Sequence, residues 1–142
     1  MRSALALLLL TTPAHAWEAG TDGRLCTLSH VQRDAEVRLT YDPVGPVYTI
    51  TVTTPAPWPA APLFSIRFTG ERGLTISTDR HTTDETGRAL TVTDSGFGNV
   101  LNGLEFNRTA TAFAGDAAAV LDLEGAAPAV QRFRDCTVAP AV

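Results

Sequence analysis

Short runs of alternating apolar and polar residues, cut by proline and glycine turns, narrow most what this chain can become. In 35–41, Val37, Leu39 and Tyr41 fall on one face and Glu36, Arg38 and Thr40 on the other. The pattern repeats in 47–53 (Tyr48, Ile50, Val52), 63–69 (Phe64, Ile66, Phe68), 73–78 (Leu74, Ile76) and 89–93 (Leu90, Val92). Successive strand side chains point to opposite faces, so each run reads as a strand with one buried and one wet face. Turn chemistry separates them: Asp42-Pro43-Val44-Gly45-Pro46, the proline-rich run 55–62, Gly70-Glu71-Arg72-Gly73 and Asp84-Glu85-Thr86-Gly87.

The last third differs. Residues 99–106 (NVLNGLEF) fit a helical turn or a strand equally. Residues 109–114 and 117–123 read as a hairpin turned at Gly115-Asp116. In 126–133, Ala126, Val130 and Phe133 stand at i, i+4 and i+7, with Pro128 tolerated in a first helical turn. The expected fold is all-β, an antiparallel sandwich or flattened barrel of about seven to eight short strands with a short C-terminal helix.

The N-terminus carries an address. Arg2, the apolar run 4–10 and Ala14-His15-Ala16 form a secretory signal with a small-x-small cleavage site, so 1–16 is expected to be removed and 17–142 to fold as a single domain. A membrane helix needs roughly 20 apolar residues, and Thr11-Thr12-Pro13 ends this run too early. The expected location is the periplasm, with no membrane span in the mature form and a monomeric state. Export also decides the reading of Cys26 and Cys136. In an oxidising compartment two cysteines near opposite ends of a domain are most simply one disulfide; a reactive thiol or a metal-binding pair is the competing reading. Closing a loop of ~100 residues stabilises by ~4.7 kcal/mol in the chain-entropy model.

Composition excludes several chemistries. All 11 Lys+Arg residues are arginine, which removes lysine nucleophiles and P-loop lysines. A net charge of -4, with arginines dispersed among acids, argues against nucleic acid and against an anionic membrane surface. Ser77, Asp79 and His81 suggest a triad by identity and a shared solvent side, yet ~13 Å of extended strand separates Ser77 from His81, against ~3 Å for a nucleophile and its base. Ser95 reaches His81 only if the strands around them pair, and no G-x-S-x-G elbow accompanies it. Asp79, His81, Asp84 and Glu85 are potential ligands without metal-site spacing, so a solvated loop, no metal and no cofactor are expected.

Trp58 stands among prolines, either displayed from a stiff extended loop as a partner anchor or folded back as a lid over the core. In 96–104 (GFGNVLNGL), Phe97, Val100 and Leu101 read as inward, and Asn99 and Asn102 as turn residues. His30 reads as a surface or edge residue. Asn107-Arg108-Thr109 matches the glycan-acceptor pattern, which has meaning only on a eukaryotic secretory route.

The segments WEAGTDGRLCTLSHV, WPAAPLFSIRF, TDRH, TDSGFGNVLNGLEF, TATAFAGD and LEGAAPAVQRFRDC resemble a family of small exported proteins of Rhodobacter-like alphaproteobacteria. Members sometimes carry the name of a component of the ABC excinuclease, an activity that needs the P-loop this chain lacks. The ending of strand, strand, short helix and cysteine is distantly similar to the invasion-associated locus B family of periplasmic β-proteins. Neither resemblance implies a functional residue.

The sequence therefore points to an exported, non-catalytic binding or accessory protein of the bacterial envelope. Trp58, Asp79, His81 and Asn99 form the candidate binding surface, and an unidentified periplasmic protein or small molecule is the ligand. The alternatives are a protease or enzyme inhibitor using the Trp58 loop, and a small hydrolase around His81 and Ser95. N-terminal sequencing of the protein recovered from a periplasmic extract is expected to begin at Trp17; a chain beginning at Met1 would contradict the signal reading.

Overall fold

A computed structural model describes residues 16–139. The signal segment expected over 1–16 lies, Ala16 apart, outside the described residues. In chain order the elements are β1 (Glu18–Asp22), β2 (Leu25–Gln32), β3 (Ala35–Asp42), β4 (Val47–Thr53), β5 (Phe64–Gly70), β6 (Leu74–Thr78), β7 (His81–Thr83), β8 (Ala89–Asp94), α1 (Gly98–Phe106), β9 (Asn107–Ala114), β10 (Ala117–Asp122) and α2 (Ala126–Val138). The strands form two antiparallel sheets, a six-stranded one ordered β1-β2-β3-β4-β8-β7 and a four-stranded one ordered β10-β9-β5-β6. They make a sandwich and not a closed barrel. The extra strands relative to expectation are β1 and β7, short edge pieces that lack the alternation on which a strand reading depends.

The alternation read from the sequence faces the core as expected. Val37, Leu39, Ile50, Val52 and Leu90 are buried from one sheet, and Phe64, Ile66 and Phe68 from the other. On β5 the register sets Phe64 beside Ala114, Ile66 beside Ala112 and Phe68 beside Ala110, so every large side chain has a small neighbour on β9. That large-to-small matching fills the layer without overlap. Each such buried side chain contributes about 1.5–3 kcal/mol.

Residues 98–106 resolve as a helix. Val100, Leu101 and Leu104 share its buried face, and Gly103 lies so close to the Phe68 ring that a Cβ there has no room. Asn107 then ends the helix as a clamp: Nδ2 donates to Gly103 O and Arg72 O (both 3.0 Å), and Oδ1 accepts from Arg72 N (3.1 Å). The amide that a glycan would occupy is thus buried and fully hydrogen-bonded. Asn102, expected in a turn, lies on α1 and accepts from Arg134 Nη2 of α2 at 2.8 Å.

Helix α2 is longer than the sequence indicated and buries Ala126, Ala129, Val130 and Phe133. The Cys26–Cys136 disulfide joins it to β2, with a Cα–Cα distance of 6.0 Å. His30 corrects an expectation. It is buried, because Trp17 folds over it with ring centroids 4.7 Å apart and 7° between planes, while Trp17 Nε1 donates to Asp122 O at 2.9 Å. Gln32 guards the free edge of β10: Nε2 donates to Val120 O (2.7 Å) and Oε1 accepts from Asp122 N (3.2 Å). One side-chain amide thereby occupies backbone groups that an added strand would use.

Gly103→Ala should reveal the tightest of these contacts. Helix propensity alone favours Ala by about 1 kcal/mol, whereas overpacking costs about 1–3 kcal/mol. A net loss of up to about 2 kcal/mol in urea denaturation is expected; a raised midpoint would mean that Phe68 yields.

Candidate functional site

On one flank the sandwich is not closed. The four-stranded sheet ends at β6, whereas the six-stranded sheet continues past it through β8 to β7. Helix α2 packs on β1 and β2, and α1 packs on β5, β6 and β9. A cleft of about 510 Å³ remains between β6 and β8. Its floor is apolar and reaches the core: Ile50, Phe64, Ile66, Ile76, Val92, Phe97 and Val100 line it. Ser77, Thr78, Asp94 and Asn99 form its polar rim. Ile76 and Val92, inward by alternation, are only half-buried, because both face this opening.

Phe97, at the cleft wall, belongs to a stack of rings. Tyr48 lies 4.6 Å from Tyr41, 5.3 Å from Phe97 and 6.4 Å from Phe133, tying the sheet to the starts and faces of both helices. Phe97 is the N-cap of α1 and supplies no side-chain cap bond. Leu101 N makes the bond to Phe97 O at 2.9 Å, so the amides of Gly98, Asn99 and Val100 precede the first helical bond at the rim. Across the strand pair from Tyr48, Asp94 Oδ2 accepts from Arg80 Nη2 at 3.0 Å, linking the β6–β7 connection to the end of β8. Asp94 Oδ1 accepts from Ser95 N at 2.7 Å, so both carboxylate oxygens are engaged. An ion pair this exposed contributes at most about 1 kcal/mol.

The residues singled out from the sequence are distributed around this flank. Asn99 lines the cleft. Asp79 lies exposed in the β6–β7 connection. Trp58 is not displayed: it is 6% exposed, its Nε1 donates to Val52 O at 3.1 Å, and its ring stands edge-on to Phe64 at 6.0 Å. The backbone holds it there as well, since Trp58 N donates to Gly87 O at 2.8 Å. An indole is buried stably only where its N–H finds an acceptor, and this loop provides one. The lid alternative is the one adopted, and the projecting anchor is corrected.

His81 also departs from expectation. Strands β6 and β7 belong to different sheets, and the register sets His81 beside Val92, which pairs in turn with Ile50 on the inner face. His81 is therefore half-buried rather than on the solvent side with Ser77. Its Nε2 donates to Ala61 O at 3.0 Å, and with Trp58 it lines a second hollow of about 430 Å³. Ser95 Oγ turns to Asp94 Oδ1 at 3.5 Å, and Ser77 Oγ pairs with Ser65 Oγ at 2.7 Å. No hydroxyl among the described residues meets the His81 ring.

Asp84, a possible ligand by sequence, serves its own turn. The Thr86 hydroxyl donates to Oδ1 at 2.8 Å, and this bond, aided by backbone amides including Ala89 N, holds the carboxyl below its usual range. Among the described residues no group of three His, Cys, Asp or Glu side chains could hold a metal ion, and no helix is long and apolar enough to cross a membrane.

Sequence reasoning identified the floor residues as core but missed the cleft. Nothing local marks which core positions lie beneath a missing strand. Arg80 and Asp94 also escaped notice, because pairing between two turns has no sequence signature.

A disulfide-joined antiparallel β-sandwich with one open flank is the class these features define. No family model matches the chain, and no curated protein matches it. Among solved structures it is similar to the crystal structure of invasion associated protein B from Bartonella henselae, with a TM-score of 0.57 and 15% sequence identity over 89% of this chain and 96% of that chain. At that identity the likeness is one of fold. It agrees with the similarity to the invasion-associated locus B family that the chain's ending implied.

The Asp84 turn gives a pH prediction. Its carboxyl is more acidic folded than unfolded, so its contribution is present above the unfolded range near pH ~4 and is lost as pH falls through the lower folded value. Asp84→Asn is expected to lower the thermal midpoint at neutral pH and to leave it unchanged near pH ~2. Identical melts at both pH values would show that the turn contributes nothing.

Proposed function

We propose that this chain is an exported, non-catalytic binding protein of the bacterial envelope whose ligand enters the cleft between β6 and β8. One observation carries the reading: the cleft leads from a polar rim to core residues such as Phe64 and Ile66, with a volume inside the range typical of ligand sites, about 300–1,000 Å³. An apolar floor favours burial of apolar ligand surface, and the few rim groups provide orientation. The N-terminal signal pattern and the Cys26–Cys136 bridge support an exported, oxidising location.

The two alternative functions draw less support. Inhibition through the proline-rich loop needs a projecting indole, and Trp58 is buried. Hydrolysis needs a base beside its nucleophile, while His81 and Ser95 are each engaged elsewhere.

Filling the cleft tests the binding reading. An environment-sensitive apolar fluorophore is expected to bind the mature protein, and Val92→Trp is expected to weaken it at least about tenfold, a loss of about 1.4 kcal/mol. A thermal melt establishes that the variant is folded. Undiminished binding to a folded variant would place the fluorophore elsewhere and remove the cleft as the site.

A further inference from the structure

We infer that the partner is an extended polypeptide segment that adds as a strand to the free edge of β6, with apolar side chains at alternate positions facing the cleft floor and a basic residue beside Asp79. This rests on the cleft being the binding site and names what occupies it.

The shape of the cleft is the first ground. Consecutive strand residues point to opposite faces, yet Ile76, Ser77 and Thr78 all line the cleft. A space that touches three successive residues runs along the strand's edge rather than over one face. Among the described residues β6 pairs with β5 alone, so its other side offers a row of backbone donors and acceptors. A strand placed there would continue the narrower sheet over β8, where Ile76 and Val92 are half-buried, and its inward side chains would meet Ile50, Phe64 and Ile66.

The contrast between the two edges of the same sheet is the second ground. On β10, Val120 O, Asp122 N and Asp122 O are taken by Gln32 and Trp17, which closes that edge to addition. β6 carries no proline and no charged side chain, and among the described residues no side-chain bond to its outer backbone performs that task. Unguarded edges of this kind pair readily, with backbone bonds giving affinity and alternate side chains giving specificity.

Charge completes the description. The residues just past β6 are Asp79 and Arg80, and Asp94 stands opposite. Arg80 is spent on Asp94, whereas Asp79 makes no ion pair among the described residues, leaving this end of the edge one negative charge in excess. The parent chain is itself acidic, at -4. A partner segment with a basic residue at that end is complementary.

The test uses the mature, oxidised protein and a panel of soluble peptides of about eight residues, with Val, Ile or Leu alternating with Thr and Lys at one end. Binding above that of scrambled controls is expected, with at least a tenfold loss when alternate peptide nitrogens are methylated. New amide-exchange protection is expected within Leu74–Thr78 and not within Ala117–Asp122. Replacing the terminal Lys by Glu should weaken binding, and Asp79→Asn should remove that difference. Binding indifferent to N-methylation, or protection confined to other strands, overturns strand addition. If no peptide binds while the fluorophore or an alkyl surfactant still occupies the cleft and is lost in Val92→Trp, strand addition fails and the cleft reading survives. Failure of all probes removes both.

Discussion

Two sheets of unequal width facing one another set the terms for the rest of this structure. Each must bury one apolar face, but a four-stranded layer cannot cover a six-stranded one. Helix α2 covers β1 and β2, and α1 lies on the inner side of β5, β6 and β9. The β6–β8 flank receives no strand and only the first turn of α1, so the cleft is the remainder of that mismatch. Its apolar floor is ordinary core sequence left without a lid.

What holds the closed flank explains why the open one can persist. The disulfide fixes α2 to β2, Arg134 binds α2 to α1 through Asn102, and Asn107 ties the end of α1 to the β5–β6 turn. Trp17 and Gln32 seal the β10 edge. These contacts restrain the sheets and helices on one side. On the open flank the two-residue β6–β7 connection passes from one sheet to the other, and the exposed Arg80–Asp94 pair at that connection contributes at most about 1 kcal/mol.

Much of the fold was legible because burial in a sheet imposes a period of two on the sequence. The inward residues of β3, β4, β5 and β8, the β9–β10 hairpin and the apolar stripe of α2 follow directly from that period or its helical counterpart. Residues 99–106 are ambiguous by sequence because a short apolar run satisfies both periods; the Phe68 ring, which leaves no room for a Cβ at Gly103, belongs to another strand. His30 was misplaced because the tryptophan that buries it stands thirteen positions earlier, on no shared pattern. Trp58 has two placements by sequence for a related reason: prolines stiffen the loop, but Val52 O and Gly87 O decide which way it turns.

The sequence by itself determined the strand faces, the terminal helix and the pair of cysteines that could bridge the ends, because each depends on local periodicity or on there being no other thiol. It also removed whole chemistries through its lack of lysine. Tertiary structure alone decided which core residues form a cleft floor, which sheet edge is guarded and which is free, and that His81 and Ser95 serve different neighbours. Those outcomes depend on how strands distant in sequence are apportioned between two sheets, and no interval along the chain encodes the width of a layer.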